Sequence, residues 1–309
     1  MRARKIILTT LIAMVLTFLA VFAKNVYSCR IPIHNRGISA LISSGDLDIL
    51  FIGSSTFRAN IDPEILDEKY DGRDFILAYG GNQLVATDIQ YDEIKMRNPN
   101  KTDLIVLELD PLMLTEEIKL SDSRVIWDLS WDGKLRLWNE MAEGSEVTFP
   151  LAFEYFITSG MDDLVTYPIT EPFYATRYYK GAKTDMTPSS GIDYLENEEF
   201  DISDSKLIAA QEAALRSIID KCKKDSANYV FVESPHYYRL FNDETYKEYR
   251  SYILDILDEC GCPYILADDV EFDIYNADYF EDMSHMSYLG RKEYTKLLLE
   301  EIESIEALN

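Results

Sequence analysis

Five short apolar runs, each closed by turn-forming residues, constrain this chain more than any other feature. They are 47–52 (LDILFI) before Gly53-Ser54-Ser55, 75–79 (FILAY) ending at Gly80-Gly81, 103–109 (DLIVLEL) before Asp110-Pro111, 228–233 (NYVFVE) before Ser234-Pro235, and 263–267 (PYILA) before Asp268-Asp269. Continuous rather than alternating hydrophobicity suits strands buried on both faces, as in a parallel sheet. Helical patterns fall between the runs, at 83–97, 206–224, 244–259 and 288–305. The alternation predicts an α/β fold with a doubly wound parallel sheet and right-handed crossovers. Ligands of such sheets sit beyond the carboxyl ends of the strands, so the residues just after each run are the ones to inspect.

Residues from about 114 to 200 break this rhythm and hold all three tryptophans, Trp127, Trp131 and Trp138. The stretch is too long for a simple loop and is expected to be an inserted subdomain over the site. Its aromatics either form a lid or substrate groove or pack a small core of their own. The N-terminus carries a second signal. Residues 6–23 contain no charge and follow Arg2, Arg4 and Lys5. At ~1.5 Å per residue, such a run nearly spans a hydrocarbon core of ~30 Å. The basic flank predicts a cytoplasmic N-terminus, with everything after Lys24 on the far side of the membrane. A retained signal anchor and a signal peptide cut after Ala23 both remain open, and the length of the run favours the anchor. The expected division is therefore 1–29 for cytoplasmic tip and membrane helix and 30–309 for an exported α/β domain. Ser28-Cys29 is not read as a lipoprotein site, because Tyr27 is bulky and Lys24-Asn25 interrupt the run. His34 is read as a juxtamembrane polar residue.

Composition excludes several classes. With 55 acidic and 30 basic residues the formal charge is −25, which repels a phosphate backbone and excludes sequence-independent nucleic-acid binding. The 14 Phe, 21 Tyr and 3 Trp exclude a disordered chain. Cys29, Cys222, Cys260 and Cys262 are too few for a disulfide scaffold and lack zinc-ligand spacing, so they are read as small semi-buried side chains.

The chemistry lies in three turns. Gly53-Ser54-Ser55 places hydroxyls at a strand-to-helix turn, Gly80-Gly81-Asn82 follows the second run, and Asp282-Met283-Ser284-His285 precedes the last helix. A serine hydroxyl needs a base to become a nucleophile; histidine supplies it at neutral pH, and a carboxylate fixes the histidine tautomer. Asp282 and His285, three residues apart, can meet within one loop, while the backbone amides of Ser55 and Gly81 could cradle an oxyanion. Each piece alone has a plainer reading: serine at a helix start is ordinarily an N-cap, and glycine after a strand ordinarily makes the turn.

Together these turns resemble the SGNH hydrolases, the GDSL esterase and acyltransferase superfamily. Gly53-Ser54-Ser55 matches the first block and makes Ser55 the implied nucleophile. Gly81 matches the oxyanion glycine of the second block, and Asp282 with His285 matches the final Asp-x-x-His block, with Gly290 following as in His-x-x-x-x-Gly. The resemblance runs from about Asp48 to Leu299 and implies a flavodoxin-like three-layer fold with five parallel strands. Two departures stand out. Ser54 replaces the acidic residue of the first block, and the Gly-x-Asn-Asp block is absent, with Glu108-Leu109-Asp110 in its place. Asn82 is the candidate substitute oxyanion donor, its plainer reading being a turn residue. These departures and the N-terminal helix are similar to the exported, membrane-anchored branch that includes the D-alanine transfer protein of teichoic acid synthesis and polysaccharide O-acetyltransferases. The resemblance implies serine-dependent acyl-ester chemistry, with an acyl donor, a glycopolymer acceptor and a multi-pass membrane acyl exporter as partners.

His236, after the fourth run, and Arg58, one helical turn past Ser55, are the substrate-binding candidates. Arg177, Lys180 and Lys183 could make a locally basic groove. No cofactor is expected. Asp268-Asp269 with Asp282 and His285 could suit a divalent metal, but no second histidine stands at ligand spacing, so no metal is expected. The competing class is an anchored, non-catalytic carbohydrate-binding or scaffold protein with the same fold.

Overall fold

The computed structural model describes residues 2–31, 36–119, 122–144, 148–159, 166, 169, 172 and 178–306. His34 and Arg177 lie outside the described residues. The strands are β1 (Leu47–Gly53), β2 (Asp74–Ala78), β3 (Thr102–Glu108), β4 (Tyr178–Tyr179), β5 (Ala182–Lys183), β6 (Tyr229–Val232) and β7 (Tyr264–Ile265). Five of them form one sheet in the order β2-β1-β3-β6-β7, and every neighbouring pair is parallel. Each corresponds to one of the five apolar runs. The chain starts centrally at β1, goes out to β2, then crosses back to β3 and onward, so the winding reverses between β1 and β3. That is the flavodoxin-like order, and the crevice outside the reversal is where ligands of such sheets bind.

The sheet is buried on both faces, which is why its strands read as unbroken apolar runs. Successive side chains alternate between faces. Leu50, Ile52, Leu107 and Phe231 pack with helices Gly37–Ser43, Leu84–Arg97, Ala209–Lys224 and Glu244–Cys260. Ile49, Phe51, Val106 and Val230 pack on the other side with helices Ser55–Asn60 and Tyr288–Glu306.

The interrupting segment does not gather its tryptophans over the strand ends. Leu137, Met141 and Tyr155 join the first of the two cores. Trp138 packs on Tyr155 and Phe156, both at 5.1 Å between ring centroids, and Trp131 lies 5.4 Å from Phe22 of the N-terminal helix. The β4–β5 hairpin hangs on the β2 edge, where the Ile76 N–H donates to the Lys180 carbonyl at 2.9 Å. Lys180 Nζ is tied to Asp67, to Asp74 at 3.0 Å and to the Gly72 carbonyl at 2.6 Å, so it serves the hairpin and not a substrate groove.

Helix Arg2–Ser28 is long and apolar enough to cross a membrane, the uncharged stretch 6–23 lying within it. Its C-terminal end is built into the folded domain. Lys24 Nζ donates to the carbonyls of Ile157 at 2.9 Å and Ser159 at 2.8 Å, and Asn25 Nδ2 donates to the Phe156 carbonyl at 2.8 Å. Lys134, buried at 1% exposure, donates to the Asn25 carbonyl at 3.0 Å and to Ser28 Oγ at 2.9 Å. A buried ammonium is costly without acceptors, and here the N-terminal helix supplies them. A chain begun near residue 30 would lack them.

Candidate active site

β1 ends at Gly53, Ser54 turns the chain, and Ser55 is the first residue of the following helix. The two serines divide the work expected of such a turn. Ser54 is the N-cap: its side chain accepts the Thr56 N–H at 3.2 Å, satisfying one of the helix's orphan donors. That leaves the Ser55 hydroxyl for another partner. From the end of β3, the Glu108 carboxylate passes beneath the turn and accepts the Ser54 N–H. Glycine at 53 permits this approach, because an added Cβ would run into Glu108 and lie 2.9 Å from the Phe57 ring.

The loop before the last helix is organised by Asp282. Its Oδ1 accepts the N–H groups of Ser284 and His285, both at 2.8 Å, and its Oδ2 lies 2.8 Å from His285 Nδ1. Burial opposes ionisation of Asp282, but His285 and these backbone N–H groups outweigh it and hold the carboxyl below the usual range. An ionised Asp282 can only accept, so the imidazole proton sits on Nδ1 and the Nε2 lone pair is free. The Ser55 hydroxyl, 2.9 Å away, donates to it. Residues 230 positions apart thus form one continuous hydrogen-bonded chain, Ser55 to His285 to Asp282. His285 and Asp282 remain partly open, at 29% and 33% side-chain exposure, so the chain is within reach of a ligand.

Asn60, fully buried, clamps the two halves together. Its Nδ2 donates to the Ser284 carbonyl at 3.2 Å and its Oδ1 accepts the Met286 N–H at 2.8 Å. The helix that begins with Ser55 therefore ends by gripping the loop that carries His285. Sequence reasoning passed over Asn60; the only signal for it is an asparagine five residues after Ser55 in an otherwise short helix.

Two backbone amides at these turns are left without an acceptor among the described residues, the N–H groups of Ser55, at the helix start, and of Gly81, in the turn after β2. Asn82 does not join them, which corrects the expectation placed on it. Its side chain is buried at 2% exposure, and Nδ2 points to the Gly53 carbonyl at 3.2 Å, Thr87 Oγ1 at 3.1 Å and Gln90 Oε1 at 3.1 Å. Asn82 ties the β2 turn to the end of β1 and has no donor left for a ligand.

His236 also departs from expectation. Its ring is 1% exposed, stands edge-on to Tyr246, and places Nε2 3.7 Å from Asp110 Oδ2. Covered in this way, it does not touch substrate; it braces Asp110. Burial opposes ionisation of Asp110, but His236 outweighs it and holds that carboxyl below its usual range. Arg58 lies beside Asp122, 4.0 Å from Nη1 to Oδ2, and lines a cavity with Tyr79, Arg124 and Trp127. Asp268 pairs with Arg250 at 2.8 Å and Asp269 accepts the Leu266 N–H at 2.8 Å. Among the described residues no cluster of three or more His, Cys, Asp or Glu is placed to hold a metal.

Glu108 and Asp110, in place of the missing third block, are the residues whose importance the sequence hid. Burial, helped by the Asp110 charge, pushes Glu108 up to about 7, with the Ser54 N–H working against the rise. A folded state that holds this proton more tightly than the unfolded chain is stabilised fully at low pH. It loses that contribution as pH rises from about 4.5 to about 7. Glu108→Gln keeps an acceptor for Ser54 and cannot ionise. Thermal unfolding at pH 5 and pH 8 should therefore show a smaller loss of stability in the variant, by on the order of 2–3 kcal/mol. Equal pH dependence in the two proteins would contradict this assignment. Other buried carboxyls, such as Asp128, cancel in the comparison.

No family model matches the chain, and no curated protein matches it. Solved structures with a similar course exist. A chain from Streptococcus pneumonia, provisionally designated a platelet activating factor, aligns over 93% of this chain and 98% of its own length, with 11% identity and a TM-score of 0.42. A chain from Bacteroides fragilis NCTC 9343, provisionally designated an acylhydrolase, aligns over 85% and 91%, with 8% identity and a TM-score of 0.40. Likeness this distant carries no functional argument, and the geometry of the site has to carry it.

Proposed function

We propose that this chain is an SGNH-type serine esterase or O-acyltransferase held at a membrane by its N-terminal helix, acting on an ester of a cell-envelope glycopolymer. The observation that carries the reading is the hydrogen-bonded chain from Ser55 Oγ through His285 to the ionised Asp282, at 2.9 and 2.8 Å. Ser55 Oγ attacks the acyl carbonyl while its proton passes to His285 Nε2. The resulting imidazolium is stabilised by Asp282, and the carbonyl oxygen, now an anion, takes the N–H groups of Ser55 and Gly81. Collapse expels the alcohol, which leaves with the proton from His285, and an acyl-serine remains. Water or a sugar hydroxyl then attacks that ester, with His285 again taking and returning the proton.

The acceptor in this last step separates esterase from transferase. Tethering beside a membrane-borne acyl donor favours transfer, and a multi-pass acyl exporter fits the role of donor partner. The test is hydrolysis of p-nitrophenyl acetate by the full-length chain in detergent. A burst of p-nitrophenol is expected, followed by slower turnover. Acetylated sugar on adding oligosaccharides would identify a transferase; unchanged acetate release would identify an esterase. Without a burst or turnover, and without covalent labelling of Ser55, the reading falls in favour of an anchored binding protein.

A further inference from the structure

The N-terminal helix sets a depth for the domain it carries. Its residues 4–20 are exposed without a break, and packing against the domain begins at Val21. The uncharged part of that clear stretch, 6–20, is about 22 Å of helix, whereas a hydrocarbon core is ~30 Å thick. Seating the whole uncharged run 6–23 in the core therefore draws the first domain residues packed on the helix down to the edge of the hydrocarbon.

Those residues are aromatic. The Trp131 ring meets Phe22 edge-on and lies 5.9 Å from Phe156 between centroids, and tryptophan beside a helix at this height is what a membrane–water boundary selects. Just further along the helix, Lys24 and Asn25 donate to the carbonyls of Phe156, Ile157 and Ser159, which ties the segment 149–159 to the helix at the same level. The segment is helical, Phe149–Phe153 running on into Glu154–Thr158. Its inner side is committed: Tyr155 is buried, and Leu151 and Phe156 pack on the first core. Its outer side is not. Phe149 is 80% exposed and Phe153 46%, one turn apart, with ring centroids 6.2 Å from each other. Charge then says what kind of hold this face can offer. A chain of formal charge −25 is repelled by an anionic bilayer, and the exposed Glu154 next to Phe153 adds to that, so attachment here comes from apolar insertion and not from lipid charge.

We propose that the Phe149–Phe153 helix is a second membrane contact, with its two phenyl rings inserted at the boundary of headgroups and acyl chains beside the point where the N-terminal helix leaves the bilayer. Aromatic side chains on the apolar face of an interfacial helix sit at that depth. The domain is then held at two places and does not swing about a single helix. The occupant is lipid, because the anchor brings a bilayer to this level and the two rings are carried by the very segment bonded to the anchor. The proposal rests on the reading of the N-terminal helix as a membrane anchor.

The test keeps the anchor and the second contact apart. Cys260, half-buried where the other three cysteines are buried, is replaced by serine in the full-length chain. A nitrobenzoxadiazole label is then attached at Phe149→Cys, at Phe153→Cys or, as the control, at Leu289→Cys, an exposed position on the helix that packs the opposite face of the sheet. Each conjugate is placed one chain to a nanodisc of uncharged phosphatidylcholine. Retention of the chain by the discs without detergent checks the anchor, and a chain found free of them overturns both readings. With the chain retained, emission at 149 and 153 should be blue-shifted and at least about twofold stronger than at 289. Lipid carrying a nitroxide on the upper acyl chain should quench it by at least about half, at low and high salt alike, and leave 289 unquenched. Labels at 149 and 153 that stay as water-exposed and unquenched as at 289, in discs that retain the chain, overturn the proposal and leave the anchor standing. Shielding that arises only with two chains to a disc assigns the surface to a second copy and overturns it equally.

Discussion

Ser55→Ala and His285→Ala are each expected to lower kcat/KM for p-nitrophenyl acetate by at least about a thousandfold, and the double variant to be no slower than the worse single one. The non-additivity follows from the geometry. Ser55 Oγ–H donates to His285 Nε2 at 2.9 Å, so the two groups act as one proton-transfer unit, and losing either forfeits the whole. Asp282→Asn should come close to the same loss by a different route. Its amide would present N–H where Oδ2 now accepts from Nδ1 at 2.8 Å, driving the imidazole proton to Nε2 and leaving no lone pair for Ser55. Steady-state kinetics of the four variants in detergent checks this. Losses that multiply in the double variant would show that Ser55 and His285 act separately.

Asn60→Ala is the second large effect. It removes one buried and one partly buried hydrogen bond and strands the Met286 N–H and the Ser284 carbonyl on either side of His285. Each unsatisfied buried group costs about 1–3 kcal/mol, so a loss of about 2–4 kcal/mol in unfolding free energy is expected. The effect on rate is separate. With the loop no longer clamped to the Ser55 helix, misplacement of Nε2 by about 1 Å should lower kcat about a hundredfold while KM changes little. Asn60→Asp keeps the acceptor for Met286 but sets a carboxyl against the Ser284 carbonyl, and should recover only part of each loss. Asn60 touches no reacting atom; it is a positioning residue. A variant that loses stability while kcat holds would reduce it to a purely structural role.

The sheet was legible because parallel strands buried on both faces are apolar at nearly every position, as 49–52 and 104–107 show directly. The placement of Ser55, His285 and Asp282 was legible because an Asp-x-x-His spacing closes within one loop, and strand ends converge on one edge of a doubly wound sheet. What misled was the environment of single polar side chains. Asn82 and His236 both follow strands, as ligand-binding residues do, yet one is consumed by the Gly53 carbonyl and its helix neighbours and the other is sealed beneath Tyr246. Nothing in a local sequence distinguishes an amide aimed at a ligand from one aimed at its own turn. Long-range partners were equally hidden: Glu108 reaches Ser54 from 54 positions away, and Lys134 reaches Asn25 from 109. The tryptophans failed as a guide because a long aromatic-rich segment can pack anywhere. Trp131 settled against Phe22 of the N-terminal helix, Trp138 against Tyr155 and Phe156, and Trp127 in a cavity with Arg58 and Tyr79.

The most direct measurement of the central claim is covalent labelling of the full-length chain with a fluorophosphonate, followed by mass spectrometry of the digested protein. An activated Ser55 should carry the adduct, at a rate that falls at least a hundredfold in His285→Ala, with Ser54 unmodified although it is the adjacent residue. Labelling that is absent, that falls on Ser54, or that proceeds equally fast without His285 would contradict a nucleophile at Ser55.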